Sequence, residues 1–359
     1  MARPEIRRRA ALGAAVLLLA ACRIETDRGE AAPPASPPAA DTVRAECPEG
    51  LPLLRPARRP AGREISRILP AADGALLASP EGLFRAGDGR TVRLLPEGRD
   101  WALEQGVLAR LGEGRIDLFD YRPPENPALR ATLTAGQHET SIALADGDLF
   151  VHSAFHDDAL ILRRSLEHGA VLGGLLPVER NLFRTLLEGP GRLHEDEGTL
   201  VAGAGRVFHV PAVRDPVAVL ETRGGRGVVL ELAGGRRGEA RVDREERHEV
   251  PRCRLCIRRI QITGRVSIVR LYAAAALAEG ILWLVRLEPP GSSSGVLLRA
   301  DVEGREVRAW RLVLPAPPTA LAIVGDTLLL AADRDLWVLP EPTAGAGTAC
   351  SVVGPGSRS

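Results

Sequence analysis

Short runs of apolar, strand-forming residues alternate with Gly- and Asp-containing turns from about residue 65 to residue 339 of this chain. Turns such as Asp73-Gly74 and Asp88-Gly89 are typical of β-hairpins. The runs come in pairs, and equivalent turns recur about every 35–50 residues. With their leading turn residues, the predicted strands are 75–78, 82–85, 91–95, 106–110, 115–120, 146–151, 159–164, 198–202, 205–210, 279–285, 295–301, 325–330 and 335–339.

Repeats of this length, built from short strands, predict the blades of a β-propeller. Because a blade is covered on both faces by its neighbours, its strands are expected to be apolar runs. We therefore predict an all-β fold, a single propeller of six or seven four-stranded blades. Residues 272–278 are compatible with one or two helical turns or with an inner strand. Residues 214–261 depart from the repeat pattern and predict an irregular blade with an inserted loop.

Two segments near the C-terminal end carry a family resemblance. Residues 298–305 end in an Asp-x-x-Gly turn, and residues 320–326 form an apolar run that ends in Gly-Asp. This pattern resembles blades of the six-bladed bacterial propellers of the NHL and TolB-like kind. The resemblance implies a fold, and a propeller fold does not by itself imply a function.

The N-terminus has the pattern of an export signal. Three arginines, Arg7-Arg8-Arg9, precede the apolar run 10–21, and Leu19-Ala20-Ala21 stand directly before Cys22. The run is too short to span a membrane, which takes about 20 residues. It resembles a bacterial lipoprotein signal, which implies that Cys22 is lipidated and attaches the mature chain to a membrane. The alternatives are an ordinary secretory signal followed by a chance cysteine and, from Arg8-Arg9, twin-arginine export.

These features divide the chain into a signal peptide (1–21), a lipid-anchored Pro/Ala-rich tether (22–46), the propeller (47–350) and a disordered tail (351–359). The expected location is the bacterial cell envelope. In the lipoprotein family an aspartate after the lipidated cysteine often retains the protein in the inner membrane. Arg23 occupies that position, which favours the outer membrane where one exists.

Four cysteines remain after Cys22, and an even number in an oxidising compartment suggests disulfides. Of the three possible pairings we favour Cys47–Cys350 with Cys253–Cys256, because Cys47 and Cys350 bracket the repeats and would lie beside the same blade in a closed ring. The Cys253-x-x-Cys256 motif could also be a redox dithiol or half of a zinc site. A haem attachment is excluded because Ile257 stands where histidine is needed.

Other polar clusters are weaker candidates. Residues 156–158 (His-Asp-Asp) and 194–197 (His-Glu-Asp-Glu) could bind calcium or act as acid–base groups, but solvated turns explain them as well. The arginine-rich segment 236–259 could bind an anionic surface, although its interleaved acidic residues favour a salt-bridged loop. The tryptophans at positions 101, 283, 310 and 337 are expected in the blade cores.

Composition narrows the functional classes. The net charge is +1, no lysine is present and aromatic residues make up 3% of the chain, which argues against nucleic-acid binding. The chain contains no recognised catalytic motif, so no catalytic residue, metal or cofactor is predicted. We expect a binding or scaffolding module whose partner is an envelope protein or a small ligand. The alternatives are a propeller-type envelope enzyme (a lyase, hydrolase or quinoprotein-like dehydrogenase) and a purely structural component.

Overall fold

The computed structural model describes residues 41–87, 90–136, 138–153, 159–177, 196–223, 227–250, 259–301, 303 and 305–354. Within these residues the all-β prediction is confirmed: six four-stranded antiparallel blades form a propeller ring. The described structure holds no helix of the length and apolarity needed to cross a membrane. One short 3₁₀ helix, η1, spans Ala344–Ala346.

Strands are numbered along the chain. Three strands precede the first complete blade: β1 (Asp41–Glu46), β2 (Leu53–Leu54) and β3 (Ala57–Pro60). Blade 1 comprises β4 (Arg67–Ala71), β5 (Gly74–Ser79), β6 (Gly82–Gly87) and β7 (Arg90–Leu95). Blade 2 comprises β8 (Asp100–Glu104), β9 (Val107–Leu111), β10 (Arg115–Asp120) and β11 (Ala128–Thr134). Blade 3 comprises β12 (Glu139–Ala145), β13 (Asp148–Ser153), β14 (Ala159–Ser165) and β15 (Val171–Pro177).

Blade 4 comprises β16 (Gly198–Gly203), β17 (Arg206–Pro211), β18 (Pro216–Glu221) and β19 (Gly227–Glu231). A separate hairpin, β20 (Glu239–Val250) and β21 (Arg259–Val269), follows it. Blade 5 comprises β22 (Tyr272–Ala278), β23 (Ile281–Leu287), β24 (Ser294–Asp301) and β25 (Val307–Val313). Blade 6 contains β26 (Pro318–Val324), β27 (Thr327–Ala332) and β28 (Asp335–Pro340). Two further short strands, β29 (Thr348–Ala349) and β30 (Ser351–Val353), follow blade 6 near the C-terminal end of the described residues.

The ring is closed by strand pairing between the two ends of the chain. The N-terminal strand β3 pairs antiparallel with β28 and supplies the fourth strand of blade 6, with Arg58 opposite Trp337. The Arg58 Nε donates to a carboxylate oxygen of Asp335 at 2.7 Å across the same pair. The first strand of each blade is the innermost, and these six strands (β4, β8, β12, β16, β22 and β26) are neighbours around the centre.

The terminal segments also cover blade edges, which corrects two expected boundaries. β1 pairs with the outer strand β19 of blade 4, and β30 pairs with β1. β2 and β29 both pair with the outer strand β25 of blade 5. Residues 41–46, expected in the tether, and 351–353, expected in the tail, are therefore strands. An uncovered outer strand would leave a row of unpaired backbone N–H and C=O groups. The terminal segments form hydrogen bonds with part of these groups on β19 and β25.

The predicted Cys47–Cys350 disulfide is confirmed, with its Cα atoms 4.2 Å apart. Its position differs from the expected one, because the bond does not lie where the ring closes. Cys47 follows the strand that covers blade 4, and the Cys350 N–H donates to the Val307 carbonyl of blade 5 at 2.9 Å. The disulfide therefore joins the two terminal segments at the outer edges of blades 4 and 5.

Apolar side chains pack between neighbouring blades in several clusters. Trp101, Trp283 and Trp310 are fully buried and Trp337 is half-buried, so the expected core role of the tryptophans is confirmed. Residues 272–278 form the inner strand β22. The expected irregular blade over 214–261 is wrong in part: β18 and β19 are regular strands of blade 4, and the irregularity is the hairpin β20–β21 inserted before blade 5.

Candidate functional site

A cavity of about 600 Å³ lies at one end of the central channel. It lies where the inner strands begin, so residues at or just before the start of β4, β8, β12, β16, β22 and β26 reach it, and all six blades contribute to its wall. The lining residues are Glu64, Ser66, Arg67, Ile68, Arg99, Asp100, Thr140, Ser141, Glu197, Gly198, Thr199, Val210, Ala212, Ile268, Arg270, Tyr272, Ala273, Ala274, Ala275, Leu287, Gly291, Pro317, Pro318, Thr319, Ala320 and Leu321.

The cavity has a polar half and an apolar half. Blades 1 to 4 contribute most of the charged and hydroxyl-bearing side chains. Blades 5 and 6, with Ile268 of the inserted hairpin, contribute mainly small or apolar side chains, among them Ala273–Ala275 and Leu321. We call the second surface the alanine wall. A concave site with a few polar groups beside an apolar surface is typical of ligand-binding sites.

Four residues on four different blades form a hydrogen-bonded floor. Arg67 of blade 1 forms an ion pair with Asp100 of blade 2, with Nη1 3.3 Å from Oδ1. Ser141 of blade 3 donates its hydroxyl to Asp100 Oδ2 at 2.7 Å and accepts the Leu200 N–H of blade 4 at 3.0 Å. Arg67 Nη2 donates to the Leu200 carbonyl at 2.6 Å, which completes the cycle.

In the floor Asp100 accepts from three donors, whereas Arg67 keeps N–H groups that the floor does not use. Besides Arg67 and Ser141, the Ile142 N–H also donates to Asp100 Oδ2, at 2.8 Å. A guanidinium has five N–H groups, and the described bonds of Arg67 engage two of its nitrogens. Its side chain is 16% exposed and lines the cavity. The floor therefore presents hydrogen-bond donors to a ligand.

The rim of the cavity carries charges of both signs. Glu64 and Glu197 precede the inner strands of blades 1 and 4, and Arg99 and Arg270 precede those of blades 2 and 5. Their formal charges cancel, so the rim as a whole favours neither sign. The charge preference of the site is therefore set by its floor.

Two stacked histidines lie behind the polar half. The rings of His152 (β13) and His209 (β17) have centroids 4.7 Å apart. His152 Nε2 donates to the Asp196 carbonyl at 3.0 Å, so its Nδ1 accepts the hydroxyl of the lining residue Thr140 at 2.8 Å. His209 Nε2 is buried and has no hydrogen-bond partner among the described residues, and burial, reinforced by His152 and Arg214, holds the pKa of His209 well below its ordinary value.

Gly198, a lining residue of the cavity, lies close to His209. A Cβ atom at position 198 would lie 2.6 Å from His209 Nε2 and 2.5 Å from the Val210 carbonyl oxygen. Glycine therefore allows the start of β16 to approach β17 this closely. As a result the histidine pair lies directly behind the cavity wall.

Tyr272 braces the start of blade 5. Its hydroxyl donates to Asp215 Oδ1 at 2.8 Å, and Asp215 also accepts the N–H groups of Leu232 and Ala233, at 2.9 and 2.7 Å. Burial raises the pKa of Tyr272 well above its ordinary value, and the neighbouring Asp215 adds to the shift. Asp215 thus organises the chain at the point where it leaves blade 4 for the inserted hairpin.

Several sequence-predicted sites lie outside the described residues. They are the lipidation site Cys22, the Cys253–Cys256 pair, the cluster 156–158, and His194 with Glu195. The remainder of the second cluster is divided: Asp196 pairs with Arg214 at 2.9 Å, and Glu197 lines the cavity. In the arginine-rich segment, Arg236 pairs with Glu288.

The floor was not predicted from the sequence. Arg67, Asp100 and Ser141 each stand next to an apolar run, where a polar residue resembles the end of an ordinary turn. The usable signal is their recurrence: Ser66-Arg67, Arg99-Asp100 and Thr140-Ser141 each open an inner strand. A polar residue at the same place in successive blades faces the same end of the channel.

No family model matches the chain, and no curated protein matches its sequence. Solved structures resemble it only at low identity and low TM-score. Myxococcus xanthus glutaminyl cyclase is 10% identical, with a TM-score of 0.39 over 88% of this chain and 99% of that one. Kuenenia stuttgartiensis hydrazine synthase is 9% identical, with a TM-score of 0.45 over 78% and 96%. The WD40 propeller domain of Doa1 is 10% identical, with a TM-score of 0.41 over 82% and 99%. Similarity at this level says nothing about function.

Proposed function

We propose that the protein is a lipid-anchored component of the bacterial cell envelope whose propeller binds a partner or ligand in the cavity at the channel mouth. The observation that carries the proposal is the cavity itself. It has a volume of about 600 Å³, all six blades contribute to it, and the Arg67–Asp100–Ser141–Leu200 cycle closes its floor. A preformed recess of this size, half polar and half apolar, suits the recognition of one molecule or one protruding segment.

The anchor would give the cavity access to envelope partners. The segment between Cys22 and the first described strand, residues 23–40, is rich in Pro and Ala. Such a chain, extended at about 3.1 Å per residue, would reach roughly 55 Å. A linker of this length would leave the propeller able to meet proteins and ligands at or near the membrane surface.

The distribution of displaced pKa values does not favour the enzyme alternative. An active site is expected to gather several such groups in one cleft. The described groups with a displaced pKa are Glu104, Asp117, Tyr121, His209, Tyr272, Glu306 and Glu341. Among these Tyr272 lines the cavity, and its hydroxyl already donates to Asp215. A binding role does not require several groups with a displaced pKa in the cavity.

Photo-crosslinking in intact cells tests the proposal. A photoreactive amino acid replaces Arg270 at the rim of the cavity or, as the matched control, Arg305 in the turn between β24 and β25 at the opposite end of the blades. We expect a discrete adduct from position 270 and none from position 305. Equal adducts at both positions, or none at 270, would contradict binding at the channel mouth.

A further inference from the structure

We infer that the cavity binds a carboxylate carried on an apolar body, with the carboxylate at Arg67 and the body against the alanine wall. This inference rests on the proposed function and specifies its ligand. Two sources share this chemistry: a free amphiphilic acid and the C-terminus of a polypeptide that ends in an apolar residue. The experiment below distinguishes them.

The floor selects the sign of the head group. Arg67 retains N–H groups beyond those that hold Asp100 and the Leu200 carbonyl. The carboxylate of Asp100 accepts from Arg67, from the Ser141 hydroxyl and from the Ile142 N–H. An anionic acceptor therefore finds donors there, and Arg67, with 16% of its side chain exposed, is more accessible from the cavity than Asp100, with 10%.

The charge at the floor also sets how much negative charge a ligand can carry. One guanidinium, already paired with one carboxylate, supplies the floor's positive charge. A planar carboxylate matches a guanidinium through two parallel hydrogen bonds and carries a single charge. A phosphate dianion would bring a second charge that no described floor residue balances.

The opposite surface selects the body of the ligand. Ala273, Ala274 and Ala275 of β22 stand beside Ala320 and Leu321 of β26, with Ile268 at the hairpin base. These side chains offer apolar contact and carry no hydrogen-bonding atoms. Burying a CH₂ group against such a surface contributes about 0.8 kcal/mol. An aliphatic chain or an apolar side chain is therefore stabilised there.

The test uses calorimetric titration of the mature full chain with matched probes. The first pair is octanoate and octylamine, which differ in the sign of the head group. The second pair is a short peptide ending in Leu-Leu with a free C-terminal carboxylate and the same peptide with a C-terminal amide. We expect both acids to bind at least about tenfold more tightly than their partners, the cost of losing a hydrogen bond to a charged group. The tighter acid identifies the source.

Variants locate the binding. Arg67→Gln should weaken binding of the tighter acid about tenfold or more, and the control Arg305→Gln, an exposed arginine in the turn between β24 and β25, should leave it unchanged. Because Arg67 also joins blades, a second variant leaves the floor intact. Ala275→Phe fills the wall and should weaken binding about tenfold, while Ala278→Phe on the same strand lies outside the cavity lining and should not.

Octylamine or the amide binding as tightly as its acid would overturn the inference, as would the absence of binding by both acids. Acid binding that Ala275→Phe leaves unchanged would also overturn it, because the body would then lie elsewhere. The proposed function fails separately. If the acids fail to bind while the adduct at position 270 persists, the cavity is a binding site for a ligand of another class.

Discussion

Arg67 and Leu200 lie on blades 1 and 4, on opposite sides of the six-bladed ring, and the Arg67 guanidinium donates to the Leu200 carbonyl at 2.6 Å. The same side chain forms an ion pair with Asp100 of blade 2. One arginine therefore spans the central channel and joins inner strands that are not neighbours. This contact closes the cavity floor and fixes the spacing of its walls.

Replacing Arg67 should therefore destabilise the ring. Arg67→Ala removes a largely buried cation from two bonds, and hydrogen bonds to charged groups contribute about 1.5–3 kcal/mol each. We expect the loss of both bonds to lower the free energy of unfolding, measured by urea titration, by about 3–6 kcal/mol. Arg44→Ala removes an exposed ion pair with Glu231 and should cost less than about 1 kcal/mol. Equal effects of the two variants would contradict a structural role for the Arg67 contact.

The disulfide should stabilise the fold without being needed to close the ring. The bond Cys47–Cys350 joins residues 303 positions apart, and chain-entropy models give a loop of that length up to about 5 kcal/mol. Cys47→Ser/Cys350→Ser should lower the melting temperature and keep the β-sheet circular dichroism spectrum, because β3 still pairs with β28. Loss of the folded spectrum at room temperature would mean that strand pairing alone does not hold the ring closed.

The buried histidine should make stability depend on pH. The pKa of His209 is well below 6.5 in the folded chain, so only the unfolded state takes up the proton as the pH falls below 6.5. Stability is therefore full above pH 6.5 and decreases toward lower pH, by about 1 kcal/mol at pH 5.5.

Urea titrations at pH 7.5 and 5.5 measure this contribution. His209→Gln should remove the contribution of His209 from the difference in the free energy of unfolding between pH 7.5 and pH 5.5. His168→Gln, a change at an exposed histidine, should leave the difference as it is in the unmodified chain. The same pH difference in the His209 variant as in the unmodified chain would show that another group is responsible.

Membrane attachment should depend on Cys22. Because this residue follows Leu19-Ala20-Ala21, Cys22→Ser should yield a protein that lacks the lipid mass and no longer partitions into detergent. Mass spectrometry and phase separation measure both properties. If Cys22→Ser leaves the partitioning unchanged and the mass differs from that of the unmodified protein by no lipid, the lipoprotein assignment is ruled out.

Local sequence predicted the blades because their turns and strands are encoded locally. Each strand predicted between 75 and 339 overlaps an observed strand, such as β5, β10 or β24, with shifts of a residue or two at the ends. Turn residues at Asp73-Gly74 and Gly325-Asp326 mark those hairpins. The Cys47–Cys350 pair was also predictable, because it brackets the repeats.

The remaining features depend on contacts between residues that are distant in sequence. β1 follows a Pro/Ala-rich segment and became recognisable as a strand only through its pairing with β19. The stacked histidines, His152 and His209, come from different blades, and each alone resembles an ordinary core residue. The floor residue Ser141 likewise acquires its role from Asp100 and Leu200 on neighbouring blades.

The most direct test of the account is to fill the cavity while the rim crosslinker is in place. Ala275→Phe, combined with the photoreactive residue at position 270, narrows the cavity, and Ala278→Phe is the matched change outside its lining. In cells, the adduct should fall about tenfold with Ala275→Phe and persist with Ala278→Phe, while both variants keep the β-sheet circular dichroism spectrum of the parent. An adduct of undiminished intensity in the Ala275→Phe chain would show that the partner binds outside the cavity.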